Sequence, residues 1–251
     1  MKATKSAWGV LSFVLAVAVA PELTAQTFTA TYDFSSVAAN AGGTTDPTAP
    51  PVVTGVTMGA FTAVGYSGNP NASGRFSWQN NSPGGVDGTN DFSQFTGSLS
   101  LVTFFEVSLT PVGSVVLDLN SISFTAQRSG TGIRSYAVRS SLDGYAANLP
   151  ANITPANANL GIGPANEFRW MLDAVTTAQN GSTVTLGSSH LNLTSAVTFR
   201  FYGWNAEGTA GTFSLDNVSF GGSTRNVPEP TSAALLLFGL GAAATWRRRR
   251  H

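Results

Sequence analysis

Apolar and polar residues alternate with period two in many short stretches of this chain. In TFTATYDF, Phe28, Ala30, Tyr32 and Phe34 alternate with Thr27, Thr29 and Thr31, which puts the four apolar side chains on one face of a strand. LVTFFEVSLT sets Leu101, Phe105, Val107 and Leu109 on one face, and SVVLDLNSISFTA does the same with Val115, Leu117 and Leu119. Past Asn120 the apolar residues are Ile122 and Phe124, of the opposite parity, so a bulge or tight bend is needed there to return them to the core. GTFSLDNVSF repeats the event: Phe213 and Leu215 share one parity, Val218 and Phe220 the other, which marks a second register change at Asp216-Asn217. SYAVRSS and VTFRFYGW also read as strands.

Before residue 97 the chain is rich in turns. NAGGTTDPTAPP and NNSPGGVDGTND carry turn chemistry, with short strands expected near Val52–Met58 and Arg75–Gln79. EFRWMLDAV, from Glu167, reads either as one short helix or as a strand. There is no internal repeat. Many short strands separated by turns predict an all-β fold, a two-sheet antiparallel sandwich.

The ends follow a different pattern. Lys2 and Lys5 precede an apolar run from Val10 to Ala20 and then small Ala25, the order of a secretory signal peptide cleaved after Ala25. At the other end, Thr231–Trp246 is an apolar stretch reaching roughly 24 Å as a helix, a short transmembrane segment. Arg247, Arg248, Arg249 and Arg250 follow it and belong on the cytoplasmic side. Both ends therefore place the body on the far side of the membrane. GLGAAA, Gly239–Ala244, matches a dinucleotide fingerprint but lies inside this apolar run, with no strand before it, and reads as small residues of a membrane helix. The chain divides into 1–25 (signal peptide), 26–225 (β-sandwich) and 226–251 (anchor segment).

Composition sharpens this. Of 251 residues only 10% are charged, so the surface is solvated mainly by hydroxyls and amides. The formal net charge is zero. Once the ends are removed, seven arginines face eleven carboxylates, about −4 for the body, which disfavours a nucleic-acid partner. Cysteine is absent, which excludes disulfides, zinc thiolates and cysteine nucleophiles.

Pro228-Glu229-Pro230, the apolar segment and the terminal arginines together resemble the sorting signal of PEP-CTERM proteins. That resemblance implies export, transient membrane anchoring, and recognition of the tail by an exosortase, with the body delivered to the cell surface or to an extracellular biofilm matrix. The stretches ISFTAQRSGTGIRSYAVRSSLDGY and FRFYGWNAEGTAGTFSLDNVSF resemble jelly-roll domains found in front of such tails. Tyr136–Gly144 is similar to discoidin-like sandwiches, and LDNVSF to carbohydrate-binding jelly rolls.

No reaction centre stands out in the body. His190 is the single histidine apart from His251; there is no G-x-S-x-G elbow, and one histidine does not build a typical catalytic zinc site. Glu106, Glu167 and Glu207 are candidates for paired carboxylates in glycoside hydrolysis, and equally for solvated strand or turn residues. Asp87, Asn90 and Asp91 gather oxygen ligands suited to calcium, against the simpler reading of an Asx-rich turn. The jelly-roll resemblance implies a structural calcium at Asp216 with Asp33. For sugar binding, Trp78, Trp204 and Tyr145 are the aromatic candidates, each weighed against core packing. Arg128, Arg134 and Arg139 are considered for an acidic polysaccharide, but at strand parity they need not converge and read as edge or surface arginines.

The sequence thus predicts an exported, non-catalytic body that requires no cofactor and either binds extracellular polysaccharide or serves a structural role. The alternative is a polysaccharide-active hydrolase or lyase on the same fold.

Overall fold

The structure is a computed structural model, which describes residues 25–40, 42–66, 73–79 and 82–227. The leader before Ala25, the triplet Pro228-Glu229-Pro230, the apolar segment and Arg247–Arg250 lie outside the described residues. Among the described residues no helix is long and apolar enough to cross a membrane.

The strands are β1 (Gln26–Tyr32), β2 (Val56–Met58), β3 (Thr62–Val64), β4 (Phe76–Gln79), β5 (Phe104–Pro111), β6 (Val115–Arg128), β7 (Ser135–Ser140), β8 (Ala151–Ile153), β9 (Leu160–Ile162), β10 (Phe168–Trp170), β11 (Gln179–Thr185), β12 (Val197–Trp204) and β13 (Thr212–Asn226). They form two antiparallel sheets. The first runs β1-β13-β6-β11-β8, with β4 also on β13; the second runs β2-β5-β12-β7-β10-β9, with β3 also on β5. The first and last strands are neighbours, paired from Gln26 opposite Thr224 to Tyr32 opposite Val218.

Both register changes expected from the apolar pattern occur, and on the same strand pair. Gly221 faces Ser121 while Gly222 faces Leu119, so Asn120 is the extra residue of β6. Asp216 faces Thr125 while Ser219 faces Ser123, which leaves one extra residue in β13. Asn217 takes it up with a φ of +49°, a conformation that asparagine tolerates better than most side chains. The result is that Leu117, Leu119, Ile122, Leu215, Val218 and Phe220 are all fully buried despite the changes of parity.

Two expectations need correction or resolution. Leu101 is 58% exposed and lies outside β5. The pairing runs out first, because Val64 faces Phe104 and Gly65 turns the chain away at a φ of +76°. The segment from Glu167 contains a strand, since Phe168 and Trp170 are buried alternately with Arg169 and pair with β7 and β9.

The core is continuous in aromatic rings between the sheets. Phe61 packs against Phe34, Phe76 and Phe201, and Phe105 against Phe76 and Phe213. Edge and stacked contacts of this kind add to area burial in a chain that lacks covalent cross-links.

Candidate functional site

Two polar regions stand out: an open groove on the outer face of the first sheet, and a closed ion-pair cluster at one end of the sandwich.

Strand alternation makes the groove. In β4, Phe76 and Trp78 enter the core, so Ser77 and Gln79 face outward. In β13, Phe213 and Leu215 enter it, so Thr212 and Ser214 face outward beside them. With Gln127 and Ser129 from β6 and its turn, Ala210 and Arg75, these residues and the end of Arg128 line a groove of about 320 Å³. Four hydroxyls, two amides and two guanidiniums supply its polar groups, with no carboxylate and no aromatic ring among the described residues of the lining. Ser129 and Thr212 close one edge reciprocally: each backbone amide donates to the other's hydroxyl, at 3.1 and 3.0 Å. Arg75 Nε is buried with no hydrogen-bond partner.

The cluster forms where Ser129–Ile133 bring the end of β6 back to the start of β7. Gly132 is required there, because a Cβ would lie 2.4 Å from the Thr212 carbonyl oxygen. Arg128 and Arg134 thereby converge, with both side chains fully buried. Arg128 donates a two-pronged pair to Glu207, at 3.2 and 2.9 Å, and one bond to Asp173 at 3.0 Å. Arg134 donates to Glu207 at 2.8 Å, to Asp173 at 3.1 Å and to the Thr89 carbonyl at 2.8 Å. Its guanidinium lies over the rings of Phe92 and Phe95. Asn90 Oδ1 accepts from the Asp173 amide at 2.7 Å, and Asp173 accepts from the Gly88 amide at 3.0 Å. The cluster therefore fastens the segment around 88–95 to the sandwich. Burial pushes the Glu207 carboxyl above its ordinary range despite both guanidiniums. Burial also pushes Asp173 up, but the adjoining Glu207 carboxyl, Arg128 and the Gly88 amide outweigh it and hold Asp173 below its usual value.

The convergence of Arg128 and Arg134 corrects their reading as edge or surface arginines. The signal was in RSGTGIR: two glycines between arginines six apart make a turn that returns the chain on itself. Asp173, the second anion, carried no such signal. Arg139 lies elsewhere, donating to Asn148 and to the Tyr145 carbonyl.

The aromatic candidates separate. Trp78 and Trp204 are 1% and 6% exposed, and so present no open ring to a sugar. Trp78 packs on Phe76, and Trp204 joins Phe104, Ala137 and Tyr202 in a small second cluster. Tyr145 is half-buried, 3.9 Å from the Arg200 guanidinium, whose other side stacks on Phe104. It follows β7 of the second sheet and does not line the groove.

The acidic candidates also separate. Among the described residues, Asp87, Asp173 and Glu207 bring carboxylate oxygens within 4.8 Å of one another. Two guanidiniums already balance that charge, and Asn90 is engaged with the Asp173 amide, so this donor set does not fit a calcium cage. Asp91 caps its own short turn through Ser93 and Gln94. Asp33 accepts from the Ser35 amide and Asp216 from the Asn217 amide; Asp216 feels the charge of Asp33, but among the described residues the two do not join a third acid within metal-ligating reach. Of the glutamates, Glu106 pairs with Arg200 at 3.0 Å, Glu167 with Arg169, and Glu207 with the cluster. His190 is buried, stacked on Phe199, with its ring nitrogens on Ser140 and Ser189. Ser140 is itself enclosed, so the pair does not face a cleft.

Comparison with known proteins locates one defined module. Residues 226–250 carry the PEP-CTERM protein-sorting motif. No curated protein matches the chain. Two solved structures share a loose likeness in chain path. The K1 cleaved adhesin domain of Lys-gingipain from Porphyromonas gingivalis W83 is 17% identical, covering 77% of this chain and 97% of its own, with a TM-score of 0.29. The K2 cleaved adhesin domain of Lys-gingipain is 13% identical at the same coverage and TM-score. A likeness this loose bears on neither fold nor function. The PEP-CTERM motif implies an exosortase-targeted surface protein.

Proposed function

We propose that this PEP-CTERM protein displays a non-catalytic, carbohydrate-binding jelly-roll body at the cell surface or in the extracellular matrix, after transient membrane anchoring and exosortase processing at Pro228-Glu229-Pro230. The groove on the first sheet carries the binding reading. Hydroxyls and amides arrayed on a rigid sheet face suit a ligand that presents hydroxyls of its own. The strand order favours the jelly roll: β1, β13, β6 and β11 form one sheet and β5, β12, β7 and β10 the other, with the chain passing back and forth between them. The non-catalytic reading draws support from the three candidate glutamates, each held by an arginine and none in the groove. The reading requires no cofactor.

A glycan array probed with the purified full chain tests the binding: sugar-dependent signal that Gln127→Ala weakens is expected, and silence across a broad array overturns it. Reducing-sugar release from matrix polysaccharide, abolished by substituting one glutamate, overturns the non-catalytic reading. Mass spectrometry of the secreted protein checks the tail; a mature chain still ending at His251 rules out processing.

A further inference from the structure

Resting on the carbohydrate reading of the same groove, we infer that it selects acidic sugars, with Arg75 taking the carboxylate of a uronate residue. Of the seven body arginines, Arg128, Arg134, Arg169, Arg200 and Arg225 are each ion-paired. Arg139 is spent on Asn148, the Tyr145 carbonyl and the face of Tyr202. Arg75 is the groove arginine with no ion pair among the described residues, and its Nε is buried without a hydrogen-bond partner. A guanidinium offers a planar fork that matches a carboxylate, and one with no ion pair has that charge to give to an incoming anion.

The surroundings favour a sugar acid over a bare anion. Asp216 is the carboxylate whose field Arg75 answers; burial pushes that acid's pKa up and Arg75 lowers it. Asp216 is absent from the lining, and among the described residues no carboxylate lines the groove. Gln79, Gln127 and Thr212 lie on three strands beside Arg75 and supply donors and acceptors for ring hydroxyls, while Ser77 and Ser214 are buried. The body is negative overall, so general attraction of polyanions does not account for uronate binding. Binding therefore reports the local site.

Calorimetric titration of the purified full chain with tetragalacturonate, its carboxyl-reduced counterpart and a sulfated tetrasaccharide tests this. The uronate is expected to bind on the order of tenfold more tightly than the reduced sugar. Arg75→Gln should bring the two to parity, chiefly by weakening the uronate, and Arg75→Lys should keep part of the preference. If Arg75→Gln lowers the Tm, the wild-type ratio decides alone. Equal binding of uronate and reduced sugar overturns the acidic selectivity and leaves the groove reading standing. A sulfated sugar binding more tightly than the uronate overturns the carboxylate assignment. Binding of none of the three, together with a silent array, removes the groove reading itself.

Discussion

The arginine cluster and the groove share a border at Arg128 yet represent opposite uses of polar groups. In the cluster, two buried guanidiniums bond to the buried Glu207 carboxylate and to a partly exposed Asp173, so these interactions are already made when the chain folds. In the groove, hydroxyls and amides line a sheet face, with Gln79 and Gln127 half-buried at its surface while Ser77 and Ser214 are buried. Charge density is thus a poor guide to a binding site in this fold. The most charged constellation fastens a loop, and the least conspicuous residues, serines and glutamines at outward strand parity, form the concave surface.

The largest expected effect breaks the closed side. Glu207→Ala leaves two buried guanidiniums short of an anion, and the loss should be about 3–5 kcal/mol in denaturant unfolding. Glu207→Gln should cost clearly less, because burial already disfavours the charged carboxyl and the amide still accepts a bond. Equal losses for the two variants would mean that charge balance, and not hydrogen bonding, holds the loop.

Trp78→Ala removes the floor beneath the groove and should cost a comparable or slightly smaller amount, about 3–5 kcal/mol for a buried aromatic. Trp78→Phe should be far milder, since Trp78 Nε1 is buried with no hydrogen-bond partner and nothing polar is lost. If Trp78→Phe abolished sugar binding while the Tm held, the groove would be reading this ring after all.

His190 provides an enclosed polar site without an ion pair. Burial pushes its imidazole below the ordinary value, against a smaller opposing pull from Asp143. Below about pH 6.5 the unfolded chain then binds a proton that the folded chain resists. Stability should therefore fall as pH drops through 6.5 toward the lower folded value. Unfolding titrations at pH 7.5 and 5 should show a shallower dependence in His190→Gln, and identical slopes in the two proteins would exclude His190 as the source.

The sandwich was legible because burial imposes period two: the parity changes at Asn120 and at Asp216-Asn217 could be read as bulges without knowing the partner strands. Leu101 misled because its parity is correct and only the absence of a partner strand ends the sheet before it. The sites were much less legible. Trp78 has the same neighbours in sequence whether its ring faces water or Phe76, and Asp173 reaches Arg128 only through tertiary folding. Arg75, Ser77 and Gln79 give no chemical signal until β4 pairs with β13 and brings them beside Thr212 and Ser214.

The smallest stability effect carries the sharpest contrast. Gln79→Ala alters a half-buried groove residue and its unfolding free energy should stay within about 0.5 kcal/mol of the parent, while Gln127→Ala also loses a bond to the Thr176 carbonyl and should cost about 0.5–1 kcal/mol. Sugar affinity should nevertheless drop severalfold for each, because a lost donor or acceptor is felt where the ligand replaces water. The two losses should be roughly additive, since the side chains stand on different strands, β4 and β6, with β13 between them. A Gln79→Ala variant that lowered stability and affinity together would make the groove a continuation of the cluster's structural network. Affinity lost at constant stability would establish that polar groups left open on this sheet serve a ligand.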